Sequence, residues 1–200
     1  MTPDELAALT RRPDPGPHRT TIRIDGVETT TLADLAPSRD GLLFVGLNPS
    51  PVSVEAGHYH QGRIGRRFWG RLKTATIIPP ATDLAEADDA LVAAGHGITD
   101  LIKRPSPRDE ASDEELRQGV GPLWQKIALW RPAAVVFIYK RVAEIAAGRS
   151  LEEPWGQLMG MALAGRPCFL MPGPYAPAES VDEGLNLLRN LAASLPVDRP

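Results

Sequence analysis

The chain has one cysteine, Cys168, among its 200 residues. That excludes a disulfide within the chain, and also a four-cysteine zinc or iron–sulfur centre built from it alone. No apolar stretch approaches the roughly 20 residues that cross a bilayer. The longest, Ala133 to Tyr139, suits a buried strand instead. Positive charge is not in excess: 22 Lys and Arg stand against 25 Asp and Glu, a net charge of −3. Composition alone therefore does not announce a nucleic-acid partner. The first residues carry Asp4 and Glu5 where a secretory leader would have a basic region before an apolar core. A soluble, cytoplasmic, single-domain protein is the expectation, since this length suffices for one core.

The charge is unevenly spread. Residues 62–73, GRIGRRFWGRLK, hold Arg63, Arg66, Arg67, Arg71 and Lys73 with no acidic residue between them, while acidic residues gather at 83–89 and 109–115. A basic face on an acidic protein can follow a phosphate backbone. It can equally be a solvated helix face.

Residues 1–19 include Pro3, Pro13, Pro15 and Pro17 and read as a loosely ordered arm. Two β-branched runs around Asp25-Gly26 then signal a hairpin. From Leu42 onward strands and helices alternate. Leu42 to Leu47 is a buried strand that stops at Asn48-Pro49, and Arg66 to Ala75 reads as a helix with Phe68 and Leu72 on one face. Asp83 to Ala94 is a further helix, closed by Gly95 and Gly97, and Ile98 to Ile102 is a short extended segment. Ser112-x-x-Glu115 is a capping box opening a helix to about Trp130, which Pro132 stops. Ala133 to Tyr139 is a central strand followed by a helix over Arg141 to Ala147. Cys168 to Met171 is the last strand, and Asp182 to Leu195 the closing helix.

This alternation predicts a parallel sheet with helices on both faces. Such sheets bind ligands outside the carboxyl ends of their strands. The loops beginning at Asn48, following Ile102 and beginning at Pro172 lie at those ends. A site assembled from three distant parts of the chain is the consequence.

GLNPS at 46–50, then Gly57-His58-Tyr59, then Arg67-Phe68-Trp69, resemble the mismatch-specific uracil/thymine DNA glycosylases, a branch of the uracil-DNA glycosylase superfamily. The resemblance continues through GITDLIKRPSPR at 97–108, the helix from Ser112, the strand ending at Tyr139-Lys140 and the last strand, covering roughly residues 32–195. It implies a three-layer αβα sandwich with a short, mainly parallel central sheet over residues 32–200, preceded by an arm and small hairpin over 1–31. It also implies a monofunctional DNA glycosylase acting on DNA that contains uracil or another deaminated or mispaired base. Such an enzyme extrudes the base and hydrolyses its N-glycosidic bond, initiating base-excision repair with no metal or cofactor. No membrane and no obligate protein partner are implied. The alternative is a catalytically weak damaged-DNA-binding protein on the same scaffold.

By the same resemblance Asn48 holds the attacking water, assisted by the Ser106 hydroxyl. Gly46, Leu47, Tyr59, His58 and Lys140 would form the base site, with Tyr59 stacking on the flipped base. Arg63, Arg66 and Arg67 would meet phosphates, and Gly173, Pro174 and Tyr175 would enter the duplex. Four departures stand out. Asp100 replaces an asparagine that touches the base in thymine-processing relatives, and either accepts from a base N–H or helps activate water. Ser50 replaces a glycine, and Tyr139 another. The Met171–Pro177 loop is proline-rich where relatives have polar residues that read the opposite guanine. Taken without the resemblance, Asn48-Pro49 reads as a turn after a strand, Asp100 as a turn former, and His58-x-His60 as a metal pair short of ligands.

Overall fold

The computed structural model describes residues 14–107, 110–152, 154–174, 176 and 178–195. Strands β1 (Arg19–Ile24) and β2 (Val27–Leu32) form an antiparallel hairpin, paired from Arg19↔Leu32 to Ile24↔Val27. Asp25 and Gly26 both take positive φ, 49° and 81°. That is the mirror-image turn whose twist matches paired strands. The hairpin docks on the rest of the chain where Thr31 Oγ1 donates to the Lys103 carbonyl at 2.7 Å.

The central sheet contains β3 (Leu42–Gly46), β4 (Gly97–Asp100), β5 (Ala134–Phe137), β6 (Gly156–Leu163) and β7 (Arg166–Leu170), in the order β4-β3-β5-β7-β6. The first four run parallel, and β6 joins β7 antiparallel at the edge. Between them lie α1 (Pro51–Ala56), α2 (Gly62–Thr74), α3 (Ala87–Ala93), α4 (Asp113–Trp130), α5 (Lys140–Ala147) and, last, α6 (Ala178–Ala193). Strand period sorts the apolar side chains into two layers. Leu42, Phe44 and Val136 pack with Phe68, Trp69 and Leu72 of α2, Leu91 of α3 and Leu185 and Leu188 of α6. Leu43, Val45, Val135 and Phe137 face Leu116, Leu123 and Ile127 of α4 and Val142 and Ala143 of α5. The result is the expected αβα sandwich.

Four local outcomes differ from the sequence expectations. The capping box at Ser112 is half formed: Ser112 Oγ accepts from Glu115 N at 3.2 Å, but the Glu115 carboxylate pairs with Arg104 at 2.6 and 2.7 Å. The helix at 83–94 begins as a 3₁₀ turn over Leu84–Glu86 before α3. Strand β6 was not anticipated, because a register shift between Gln157 and Ala162 interrupts its alternation and leaves Met159 exposed. The short α1 was not anticipated either. Ser50 caps it, accepting from Ser53 N at 3.2 Å, and Pro51 supplies the preset φ of a first helical residue.

Candidate active site

Strands β3 and β4 end side by side, with Gly46 paired to Asp100. Their following loops stay together: Leu101 N donates to Gly46 O at 3.0 Å, Ile102 N to Leu47 O at 3.1 Å and Ser106 N to Pro49 O at 3.2 Å. This ladder places Asn48 against Ser106, on the wall of a cleft of about 440 Å³. The Asn48 Nδ2 donates to Ser106 Oγ at 2.9 Å, to Ser106 O at 3.2 Å and to Pro49 O at 3.2 Å. With its nitrogen committed to three acceptors, the amide can turn only one way, and Oδ1 is left as the acceptor for an incoming group.

The opposite wall comes from the loop between α1 and α2. Gly57 ends α1 in the left-handed region at φ 81°. The loop is pinned by Tyr59 N donating to Asp88 Oδ2 at 2.8 Å, Trp69 Nε1 to Tyr59 O at 3.0 Å and Gln61 N to Ser53 Oγ at 3.0 Å. His60 itself has φ 51°, and its ring stands 4.4 Å from that of Phe68. Gly65 lies so close to the His60 backbone that a Cβ there would overlap its carbonyl. A Cβ on Gly46 would overlap Asp100 Oδ1 and come within 3.7 Å of His60 Nε2. Gly46 is thus the gap through which a carboxyl and an imidazole approach one point.

Each of those groups has a buried polar atom left incomplete. Asp100 Oδ2 and His60 Nε2 are the buried side-chain polar atoms without a hydrogen-bond partner among the described residues. An unpaired buried polar atom is costly, so two facing a cleft mark a place where a ligand completes the bonding. Burial pushes the Asp100 carboxyl up to about 7, nearby Asp34 adding to this and Lys103 and Lys126 opposing it. Burial drives His60 down to about 4, so its ring is neutral at physiological pH. Behind the wall, Asp34 pairs with Lys103 at 2.6 Å and Lys126 at 2.7 Å. Lys103 Nζ in turn donates to Tyr59 Oη at 2.9 Å, and Tyr59 Oη donates to Ala33 O at 2.9 Å.

The structure brings Asn48, Leu47, Tyr59, Asp100 and Ser106 to one cleft, together with His60, Gln61 and Tyr139. Gly46 lies beneath them. Tyr59 is 1% exposed with its phenol engaged, so it offers almost no free ring face for stacking. His58 turns away from the cleft and bonds Asp88 at 2.8 Å. Lys140 begins α5, exposed and outside the cleft lining, while the preceding Tyr139 lines it. Arg63, Arg66 and Arg67 are exposed and line a separate groove with Gly62, the residue between Gln61 of the cleft and these arginines. Gly173 accepts at its carbonyl from Arg71 Nη1, which also bonds Pro172 O at 2.6 Å, and Pro174 is buried. Tyr175 lies outside the described residues.

Sequence reasoning placed Arg71 only in the basic run and His60 only in a metal pair short of ligands, and gave the Asp34 cluster no role. A histidine beside an aromatic and a lone aspartate in a linker carry no periodic signal. Only the spacing of His60 one residue past Tyr59 hinted at it.

The family model of the uracil DNA glycosylase superfamily matches residues 33–178. A G/U mismatch-specific uracil DNA glycosylase of Schizosaccharomyces pombe is 33% identical over 98 residues, which are 48% of this chain and 30% of that protein. The matched segment thus spans under a third of that relative's length.

Proposed function

Because the chain belongs to the uracil DNA glycosylase superfamily, we propose that it is a monofunctional glycosylase that hydrolyses the N-glycosidic bond of uracil in DNA, and so initiates base excision. The observation that carries this reading is the locked amide of Asn48, whose free Oδ1 shares one cleft with two unpartnered groups, Asp100 and His60.

Breaking the bond builds positive character on the sugar and negative charge on the leaving base. Asn48 Oδ1 accepts a hydrogen bond from the attacking water and fixes its position, while Ser106 fixes Asn48. Asp100, poised near neutrality, takes the proton released as water oxygen bonds to the anomeric carbon. The electron pair of the broken C–N bond leaves on the base. His60, as a neutral imidazole, donates from Nε2 to a base oxygen as that charge develops. Arg63, Arg66 and Arg67 follow the DNA backbone beside the cleft mouth. The loop through Gly173 and Pro174 is tied by Arg71 to the same helix and forms a further DNA contact. The relative's G/U preference makes uracil opposite guanine the first substrate to test.

The test is a duplex oligonucleotide with one uracil opposite guanine, beside uracil opposite adenine and single-stranded uracil. Alkali-labile breaks at the uracil are expected with the wild type. Asn48→Ala should lower turnover about 100-fold or more while DNA affinity persists. A shifted band without breaks would instead assign the cleft to binding alone, and undiminished turnover in Asn48→Ala would refute the role of the amide.

A further inference from the structure

Behind the cleft, on the far side of the Gly57–His60 loop, four ionisable side chains converge from three parts of the chain. His18 precedes β1, His58 lies in the loop, and Asp88 and Asp89 belong to α3. One ligand atom from each lies within 4.8 Å of the other three. His58 Nδ1 is 2.8 Å from Asp88 Oδ1 and His18 Nε2 is 2.8 Å from Asp89 Oδ1. The second oxygens face outward onto backbone donors: Asp88 Oδ2 accepts from Tyr59 N at 2.8 Å and Asp89 Oδ2 from Gly16 N at 3.0 Å. Three of the four are buried, with Asp88 at 0%, His18 at 6% and His58 at 8% exposure, and Asp89 is partly buried.

We propose that His18, His58, Asp88 and Asp89 form a closed, four-coordinate site for a divalent cation of the zinc type. Two imidazole nitrogens and two carboxylate oxygens are the donor set such ions take, at bonds of about 2.0–2.2 Å. A tetrahedron of that size spaces its ligand atoms about 3.3 Å apart, between the 2.8 Å and 4.8 Å found here. Small side-chain rotations therefore suffice. The backbone donors on the outer oxygens are the outer-shell contacts that orient ligating carboxylates. Charge supports the same occupant. Two neighbouring carboxylates, one fully and one largely buried, carry charge that one divalent ion would balance.

With four protein ligands, no coordination position remains for substrate, so the ion's role is structural. It would fasten the segment at Gly16–His18 and helix α3 to the loop whose next two residues, Tyr59 and His60, form the cleft wall. This inference stands on different residues from the proposed chemistry and survives its failure.

The experiment uses the untagged full chain, stripped by chelation, and Zn²⁺ or Co²⁺ salts as probes. One Zn²⁺ per chain is expected, with a dissociation constant of about 1 µM or tighter in chelator competition. Co²⁺ should give the intense visible absorption of a tetrahedral centre, and saturation should raise the melting temperature by several degrees. Asp89→Asn keeps an acceptor for Gly16 N and should weaken uptake at least about tenfold, as should His18→Ala. If His18→Ala fails to fold, Asp89→Asn gives the answer. The proposal is overturned if the stripped wild type takes up no ion at about 100 µM, or if Asp89→Asn binds as the wild type does. The four groups would then be two independent His–Asp pairs.

Discussion

Asp100 is the residue where chemistry and stability pull in opposite directions. Its carboxyl is raised from 3.8 to about 7 by burial. Between those values the folded chain holds a proton that the unfolded chain has released, so stability falls as pH rises through this window. Ionising Asp100 is therefore a cost to the fold, and it is the ionised form that can take a proton from water. Turnover of the wild type should climb through about pH 7 and level off above it, which a pH–rate profile will read. Asp100→Asn should lower turnover by about 100-fold or more at every pH, yet unfold about 2–4 kcal/mol less readily at pH 8, the gain fading toward pH 4. If Asp100→Asn stays active, Asp100 reads the base instead, as the asparagine of thymine-processing relatives would. The partner prediction concerns His60. His60→Ala removes Nε2 and should cost about 10–100-fold in turnover. His60→Asn should recover part of this, because asparagine tolerates the φ of 51° found there and restores a donor.

Among the elements, helix α2 joins the cleft to the proposed DNA-binding surface. Its buried stripe of Phe68, Trp69 and Leu72 sets its rotation against the sheet, which sends Arg63, Arg66 and Arg67 outward into one groove. Replacing Arg66 or Arg67 by Ala should weaken binding to every DNA sequence alike and reduce the slope of log affinity against log salt by about one each. Affinity measured from low to moderate salt checks this; a slope unchanged in the double variant would place the DNA footprint elsewhere. The same helix shows what the sequence made legible. Phe68 and Leu72 at helical spacing announced it, just as the unbroken run of Ala133–Tyr139 announced β5 and the Asp25-Gly26 turn the hairpin. Strand β6 was hidden because its bulge breaks the two-residue period on which such readings depend. The site was half legible. Asn48 and Asp100 lie at strand ends and Ser106 in the loop that follows, where a parallel sheet binds ligands, but the resemblance was what singled out these three. His60 was not, since its turn into the cleft beside Tyr59 depends on a left-handed backbone no pattern encodes. His58 was misjudged for the same reason, its ring being turned to Asp88.

Taken as a whole, the molecule carries a buried ionic cluster beside the cleft, set within the two apolar layers. Asp34 follows the hairpin, Lys103 sits in the loop after β4 and Lys126 on α4, so three regions meet at one carboxylate. Lys103 also reaches the Tyr59 hydroxyl, which couples the cluster to the cleft wall. The two lysines hold the Asp34 carboxyl well below the usual carboxylate range, against burial that would raise it. Its contribution is thus present above about pH 4 and lost as pH falls toward the folded value. His60 and His96, both lowered from 6.5 to about 4 by burial, act in the same direction but at higher pH. Each favours the fold in its neutral form, so stability begins to decline as pH drops through this range. Acid unfolding should accordingly proceed in two stretches, one below about pH 6.5 from the two imidazoles, partly offset as Asp100 takes up its proton, and a second below about pH 4 as Asp34 does. Asp34→Asn separates them. At neutral pH it leaves two buried ammonium groups without their counter-charge and should cost about 3–5 kcal/mol in urea denaturation. Below about pH 4 the variant should track the wild type more closely, because the wild type has by then begun to lose the same charge. A constant difference across the whole range would mean that Asp34 contributes packing and hydrogen bonds but not charge.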